Sequence, residues 1–244
     1  MSFSWRRVYA IFLKELRDYR RNRFVVVFTM SILPLIFIIV PMIQLFSIPV
    51  QVSSATLDTR IGVSLLYMLL VPAVVPSALS AYSVVGEREQ GTLEPILTTP
   101  VRSEEFLIGK ALAAFVPALV VAYLIFAIFL LGTALFAHAG IRSAVFTSAH
   151  ILVQLLFTPL IAAWSIWVGI AISSRMSDIR AAQQLSVFAS LPPLAVTALM
   201  SLNVITPTTG LAVALGAGLL AIDLLAWRAV AALFDRERLV SGRR

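Results

Sequence analysis

The sequence predicts an all-α integral membrane protein with six transmembrane helices, an amphipathic interfacial helix at the N-terminus, and an amphipathic cytoplasmic connector between spans two and three. Three observations lead there. Hydrophobic residues make up 60% of the 244 and charged residues only 13%, against about 45–50% and about 25% in ordinary soluble domains. Apolar runs with few internal charges recur from end to end, each near the ~20 residues that a helix needs to cross ~30 Å of hydrocarbon. Those runs are apolar on every face, as in FVVVFTMSILPLIFIIV and LIFAIFLLGTALF, whereas the strands of a membrane barrel alternate.

The first element is amphipathic. Trp5, Tyr9, Phe12, Leu16 and Tyr19 recur at helical spacing while Arg6, Arg7, Lys14, Arg17, Arg20 and Arg21 fill the remaining positions. Residues 1–23 therefore read as a cytoplasmic interfacial helix whose aromatic face meets lipid and whose basic side chains reach headgroups. The spans follow at 24–46, 62–85, 111–137, 149–173, 185–203 and 208–230, with a connector at 86–110 and a tail at 231–244, all in one transmembrane domain of residues 1–244. Seventeen of the 19 Lys and Arg fall on one side of this arrangement, leaving only Arg60 and Arg142 on the other. By the positive-inside rule both termini are cytoplasmic and the spans are even in number, as expected of a multi-pass protein of the plasma (inner) membrane. A cleavable signal peptide fits poorly, because the charged head is long and the apolar stretch behind it exceeds the usual ~7–15 residues.

Composition also excludes functions. The chain has no cysteine and two histidines, which removes disulfides, thiolate metal sites and Cys nucleophiles and leaves little for a metal centre. Its basic residues gather between apolar runs instead of forming a stripe along phosphates, so nucleic acid is not an expected partner. The outer loops, at about 47–61, 138–148 and 204–207, are too short for an extracytoplasmic domain. Asp223 is the one acidic residue inside a span, and Arg228 a little over a turn away suits a locally paired or snorkelled structural role. His138 and His150 read as interfacial residues, not ligands. Prolines at 34, 41, 72, 76, 117, 159, 192 and 193 are expected to kink their spans. Gln44, Gln154, Thr158, Ser165 and Asn203 suit interhelical hydrogen bonds or a substrate path.

The connector GEREQGTLEPILTTPVRSEEFLIGK concentrates charge among apolar residues. Pro95 and Pro100 divide it, Gly91 permits a turn, and Ser103 is positioned to cap a helix that Glu104 and Glu105 begin. Gly86 and Gly91 have the gap of a phosphate loop, but Thr92 and Leu93 stand where Lys and Ser or Thr are needed, behind a membrane helix instead of a strand. No catalytic, cofactor-binding or metal-binding residue is expected in this chain. It is not expected to be an enzyme.

That connector is similar to the one between the second and third spans of ABC type-2 exporter permeases, which typically reads E-R-E-x-G-T, an acidic residue, an apolar pair and a Thr-Pro turn. The resemblance extends to KELRDYRRNR near the start, to the six spans and to a terminal FDRERL. It implies the transmembrane permease subunit of an ATP-driven ABC exporter. The connector would then carry a coupling helix seated on a separate ATPase subunit, with Glu87, Arg88, Glu89, Gly91, Thr92 and Glu94 contacting or orienting it. The implied partners are two copies of an ATP-binding ABC subunit, which would bind the ATP and Mg, together with a second permease copy and membrane lipid. Apolar walls suit an amphipathic, lipid-like or drug-like cargo moved out of the cytoplasm. The alternative is an ion-coupled secondary transporter.

Overall fold

The computed structural model describes residues 3–49, 52–91, 101–202 and 208–233, and every regular element among them is a helix. In chain order these are α1 (Trp5–Arg21), a π-helical stretch (Phe24–Ile32) running into α2 (Leu33–Phe46), α3 (Ser54–Glu89), α4 (Ser103–Phe136), the short α5 (Ala139–Val145), α6 (Ser148–Arg175), α7 (Ile179–Ser190), α8 (Pro192–Ser201) and α9 (Thr209–Leu233). Five segments among the described residues are long and apolar enough to cross a membrane: Val25–Phe46, Ser54–Glu89, Ser103–Phe136, Ser148–Arg175 and Gly210–Ala232. The chain is a multi-pass membrane protein. α3 has 36 residues and α4 has 34, about 54 and 51 Å at ~1.5 Å per residue, so both outrun the hydrocarbon and carry polar ends beyond it.

The segment expected as the fifth span differs. Residues 185–203 fall on α7 and α8, of 12 and 10 residues, and neither would cross a bilayer alone. Pro192 and Pro193 are the cause. Lacking N–H groups, they cannot serve the carbonyls four residues back, those of Phe188 and Ala189. Leu191 N–H takes the Phe188 carbonyl at 3.2 Å, and the Trp164 indole N–H reaches across from α6 to the Ala189 carbonyl at 3.1 Å. Leu191 itself keeps helical angles, φ −75° and ψ −27°, so the chain passes from one helix to the other without a loop.

Elsewhere the helices continue through their prolines, at Pro41 in α2, Pro72 and Pro76 in α3, Pro117 in α4 and Pro159 in α6. At Pro159 the orphaned carbonyl belongs to Leu155, and the Tyr123 hydroxyl of α4 donates to it at 3.1 Å. A freed acceptor in an apolar surrounding needs such a donor.

α3 is the central post, with buried positions along most of its length from Ile61 to Glu87. It packs closely on α6 because Gly169 lacks a side chain: a Cβ there would collide with the hydroxyl of Ser80 and approach the Ser77 carbonyl. α4 turns a continuous stripe outward, Val116, Val120, Leu124, Ile128, Leu131 and Leu135, at the spacing of one helical face and with the chemistry of a lipid boundary. α2 and α9 also expose apolar faces, including Leu35, Ile39 and Ile43 on one and Leu220, Leu224 and Leu225 on the other. Gly210, Ala214 and Gly218 of α9 are all exposed, with open space beside both glycines.

Candidate functional site

The charges converge at one end of the bundle, where α1 lies against the last turns of α3 and the first turns of α4. α1 buries Val8, Glu15 and Tyr19, with Ile11 and Phe12 packed partly beside them, while Trp5 and Tyr9 remain exposed. The aromatic stripe read from the sequence is thus divided. Its C-terminal end faces protein, and its N-terminal end is free to meet lipid. Gly109 of α4 allows the approach, since a Cβ there would come within 2.7 Å of Ile11 Cγ2 and 3.2 Å of the Val8 carbonyl oxygen.

Glu15 brings a carboxylate into this interface, where two ammoniums answer it and a second carboxylate, Glu87, shares them. Lys110 Nζ lies 2.8 Å from Glu15 Oε1 and 2.9 Å from Glu87 Oε1. Lys14 Nζ lies 3.1 Å from the same Glu15 oxygen and 2.6 Å from the same Glu87 oxygen. Two ammoniums thus bridge two carboxylates, joining α1, α3 and α4. Side-chain exposure is 2% for Lys110, 6% for Glu87 and 8% for Glu15, and only Lys14, at 48%, reaches solvent. Buried charges persist only when paired this way, because desolvation of one alone costs several kcal/mol. Burial opposes the Lys14 charge, but Glu15 and Glu87 outweigh it and hold the ammonium above its usual range. Burial, with the charges of Glu15, Asp18 and Glu87 nearby, pushes the Tyr19 phenol well up and keeps it neutral.

A second clasp lies about one and a half turns away on α4. Glu105 is fully buried and accepts a forked pair from Arg7, Nε to Oε2 at 2.8 Å and a terminal nitrogen to Oε1 at 2.7 Å. It also accepts from the backbone N–H of Ser4 at 2.7 Å and of Arg102 at 3.0 Å. The Glu105 side-chain hydrogen bond raises the Arg7 guanidinium above its usual range. The helix start differs from expectation: Arg102 is the N-cap and Ser103 the first helical residue, because Glu105 in the third position reaches back to the Arg102 amide.

The end of α3 is tied on its other side to α6 and α7. Ser173 Oγ donates to the Ala81 carbonyl at 2.6 Å and accepts from the N–H groups of Val84 and Val85, each at 3.0 Å. One turn on, the Arg88 guanidinium donates to the carbonyls of Met176 at 2.9 Å and Ser174 at 3.2 Å, at the end of α6. Glu89 Oε1 accepts from the N–H of Ile179, the first residue of α7, at 3.2 Å. Gly91 then turns with φ +68°, the left-handed region that favours glycine.

Of the six residues singled out in the connector, Glu87 faces the interior, Arg88 and Glu89 bind the α6–α7 junction, and Gly91 makes a turn. Thr92 and Glu94 lie outside the described residues, as do Pro95 and Pro100, and with them the expected coupling helix. Lys14, Glu15, Lys110, Glu105 and Arg7 were missed as a set. Their signal was present: Glu15 interrupts the face made by Val8, Phe12 and Tyr19, and Lys110 stands inside LIGKALAAF. A charge on an apolar face calls for an opposite charge elsewhere, but nothing local says which. Asp223 also departs from expectation. It is buried, both its carboxylate oxygens are without a hydrogen-bond partner among the described residues, and Arg228 is exposed. The anticipated pairing is not made.

A family profile described as ABC-2 family transporter protein matches residues 9–235. That range takes in most of α1, the ion-pair cluster of Lys14, Glu15, Glu87 and Lys110, the connector and every membrane-capable helix among the described residues. No curated protein matches the chain.

Proposed function

The chain belongs to the ABC-2 family of transporter permeases, a membrane component of an ABC transporter, and on that premise we propose that it is the transmembrane subunit of an ATP-driven exporter whose ATPase is a separate chain. Two copies of that ATPase would bind the ATP and Mg, and two permease copies would enclose the path. The topology is six spans with both termini in the cytoplasm, α7 and α8 together forming the fifth. This puts α1, the ion-pair cluster and the connector on the cytoplasmic side. Cargo is amphipathic, lipid-like or drug-like.

The observation that carries the proposal is the bonding of the α3 end. Glu87, Arg88 and Glu89 are consecutive, yet they reach α1 with α4, the end of α6, and the start of α7 respectively. An ATPase pressing on residues 90–100 would act through these ties on four helices at once. Glu87 then orients the element from inside, while Glu89, Gly91, Thr92 and Glu94 are the positions offered to the ATPase. Truncating one partner of a buried charge pair at an interface costs about 2–5 kcal/mol.

The test expresses the chain with its ATPase subunit and compares Glu94→Lys and Gly91→Pro with the parent. Expected is loss of ATP-dependent transport or of ATPase co-purification, with membrane insertion and thermal stability intact. Normal transport and association in both variants remove the connector from the mechanism. Failure of any ATPase to co-purify with the parent removes the ABC exporter reading itself. The buried carboxylate of Asp223, without a partner among the described residues, favours a second reading, ion-coupled transport. Transport that persists without ATP and collapses when the ion gradient is dissipated would select it.

A further inference from the structure

At the end of the bundle opposite the ion-pair cluster lies a cavity of about 320 Å³, within the size range of small-molecule sites. The first turns of α3, α6 and α9 and the last turns of α8 surround it. Leu69, Val153 and Met200 are among its apolar walls, and Asp58, Thr147, His150, Gln154, Thr197 and Thr208 supply its polar groups. Two of the threonines are fixed as acceptors, while Thr208, whose oxygen accepts from the Leu211 N–H, keeps its own proton. Thr197 donates its hydroxyl proton to the Leu194 carbonyl and Thr147 donates to the Ala144 carbonyl, so both offer lone pairs to the cavity. His150 Nδ1 lies 3.0 Å from the Ala144 carbonyl oxygen; in the neutral ring that nitrogen carries the proton and Nε2 is left as an acceptor. Asp58 adds a carboxylate at the exposed rim, without an ion-pair partner among the described residues. No lysine or arginine is among the described lining residues.

Gln154 is the second, independent sign of a ligand. It is 2% exposed and lines the cavity, yet its side-chain amide makes no hydrogen bond among the described residues. Its place in the wall directs the amide to whatever fills the space. The geometry points to a binding site for a small amphipathic organic cation: an apolar body held among Leu69, Val153 and Met200, and a protonated amine donating to Asp58, His150 Nε2 and the Gln154 carbonyl oxygen. An anion would meet the Asp58 charge with no base to offset it. The site belongs to one chain, at the outer mouth of the proposed topology, and in that clause alone it rests on the exporter reading.

Three probes built on one adamantane cage test it: amantadine, neutral 1-adamantanol and anionic 1-adamantanecarboxylate, titrated against the full chain in nanodiscs, with its ATPase where one co-purifies. Expected is saturable amantadine binding at one site per chain, weaker binding of the alcohol, and none of the carboxylate. Asp58→Asn, at an exposed helix turn, should weaken amantadine about tenfold and abolish its preference over the alcohol. Gln154→Leu, which fills the same space without a polar group, should weaken amantadine and spare folding, read as an unchanged melting temperature. Equal saturable binding of all three probes, amantadine binding indifferent to both substitutions, or no saturable amantadine binding to the parent overturns the inference. Binding is read without ATP, so it survives even if no ATPase partner exists. Conversely, a coupled ATPase with no amantadine binding would fail this site alone.

Discussion

Glu87 and Lys110 sit 2.9 Å apart with almost no solvent exposure, one in the last turn of α3 and the other two turns into α4. The connector that separates them in sequence is thus closed at its base by a buried ion pair. Glu15 of α1 and the half-exposed Lys14 complete the set, so the N-terminal helix is locked to the same closure.

Removing Lys110 takes away the buried ammonium that Glu15 and Glu87 share. Lys110→Met should therefore destabilise the protein by about 3–5 kcal/mol. Adding Glu87→Gln to it removes one of the stranded charges and should recover part of that loss. Thermal melts of the two single variants and the double variant measure the coupling. Additive losses would mean that the pair does not interact.

Arg7 holds Glu105 with two nitrogens of one guanidinium, a geometry that lysine cannot copy. Arg7→Lys should release the start of α1 nearly as fully as Arg7→Ala, because the forked pair to Glu105 is lost in both. Hydrogen exchange over residues 4–12 would rise in both variants. Protection retained in Arg7→Lys would show that a point charge suffices.

Two proline-orphaned carbonyls are served by side chains from neighbouring helices, Leu155 by Tyr123 and Ala189 by Trp164. Tyr123→Phe and Trp164→Phe keep most of the ring volume and remove the donor. Each should lower the melting temperature, because a carbonyl freed in apolar surroundings is left without its donor. Melting temperatures indistinguishable from the parent would assign those carbonyls other partners.

The absence of cysteine permits a direct topology measurement. Single cysteines at Ser54 and Ser143 should react with an impermeant thiol reagent added outside, and those at Ser103 and Ser177 only after the membrane is opened. Ser54, Ser143 and Ser177 are exposed in the fold, so a missing signal there reports sidedness. The reverse pattern rejects both termini as cytoplasmic.

Membrane residence and helical class were legible residue by residue, because insertion depends on summed apolarity over about 20 residues and on helices that satisfy their own backbone. The family was legible too, in the local string GEREQGTLEPILTTP. The continuity of the fifth segment was less so. Its two prolines were visible, but the donor that serves the Ala189 carbonyl they orphan is Trp164, 25 residues before Ala189 and on another element.

Charge alone predicts the sides of the loops, since a Lys or Arg outside the hydrocarbon acts by number, independent of its partners. Which of the charges left solvent was decided only by tertiary packing. Glu15, Glu87 and Lys110 look like solvated residues of a helix and a connector until α1, α3 and α4 meet, and Gly109 determines how closely they meet. Asp223 shows the converse, a carboxylate whose nearest sequence partner, Arg228, points elsewhere. Burial of a charge is a property of three or four elements at once. No window of sequence contains it.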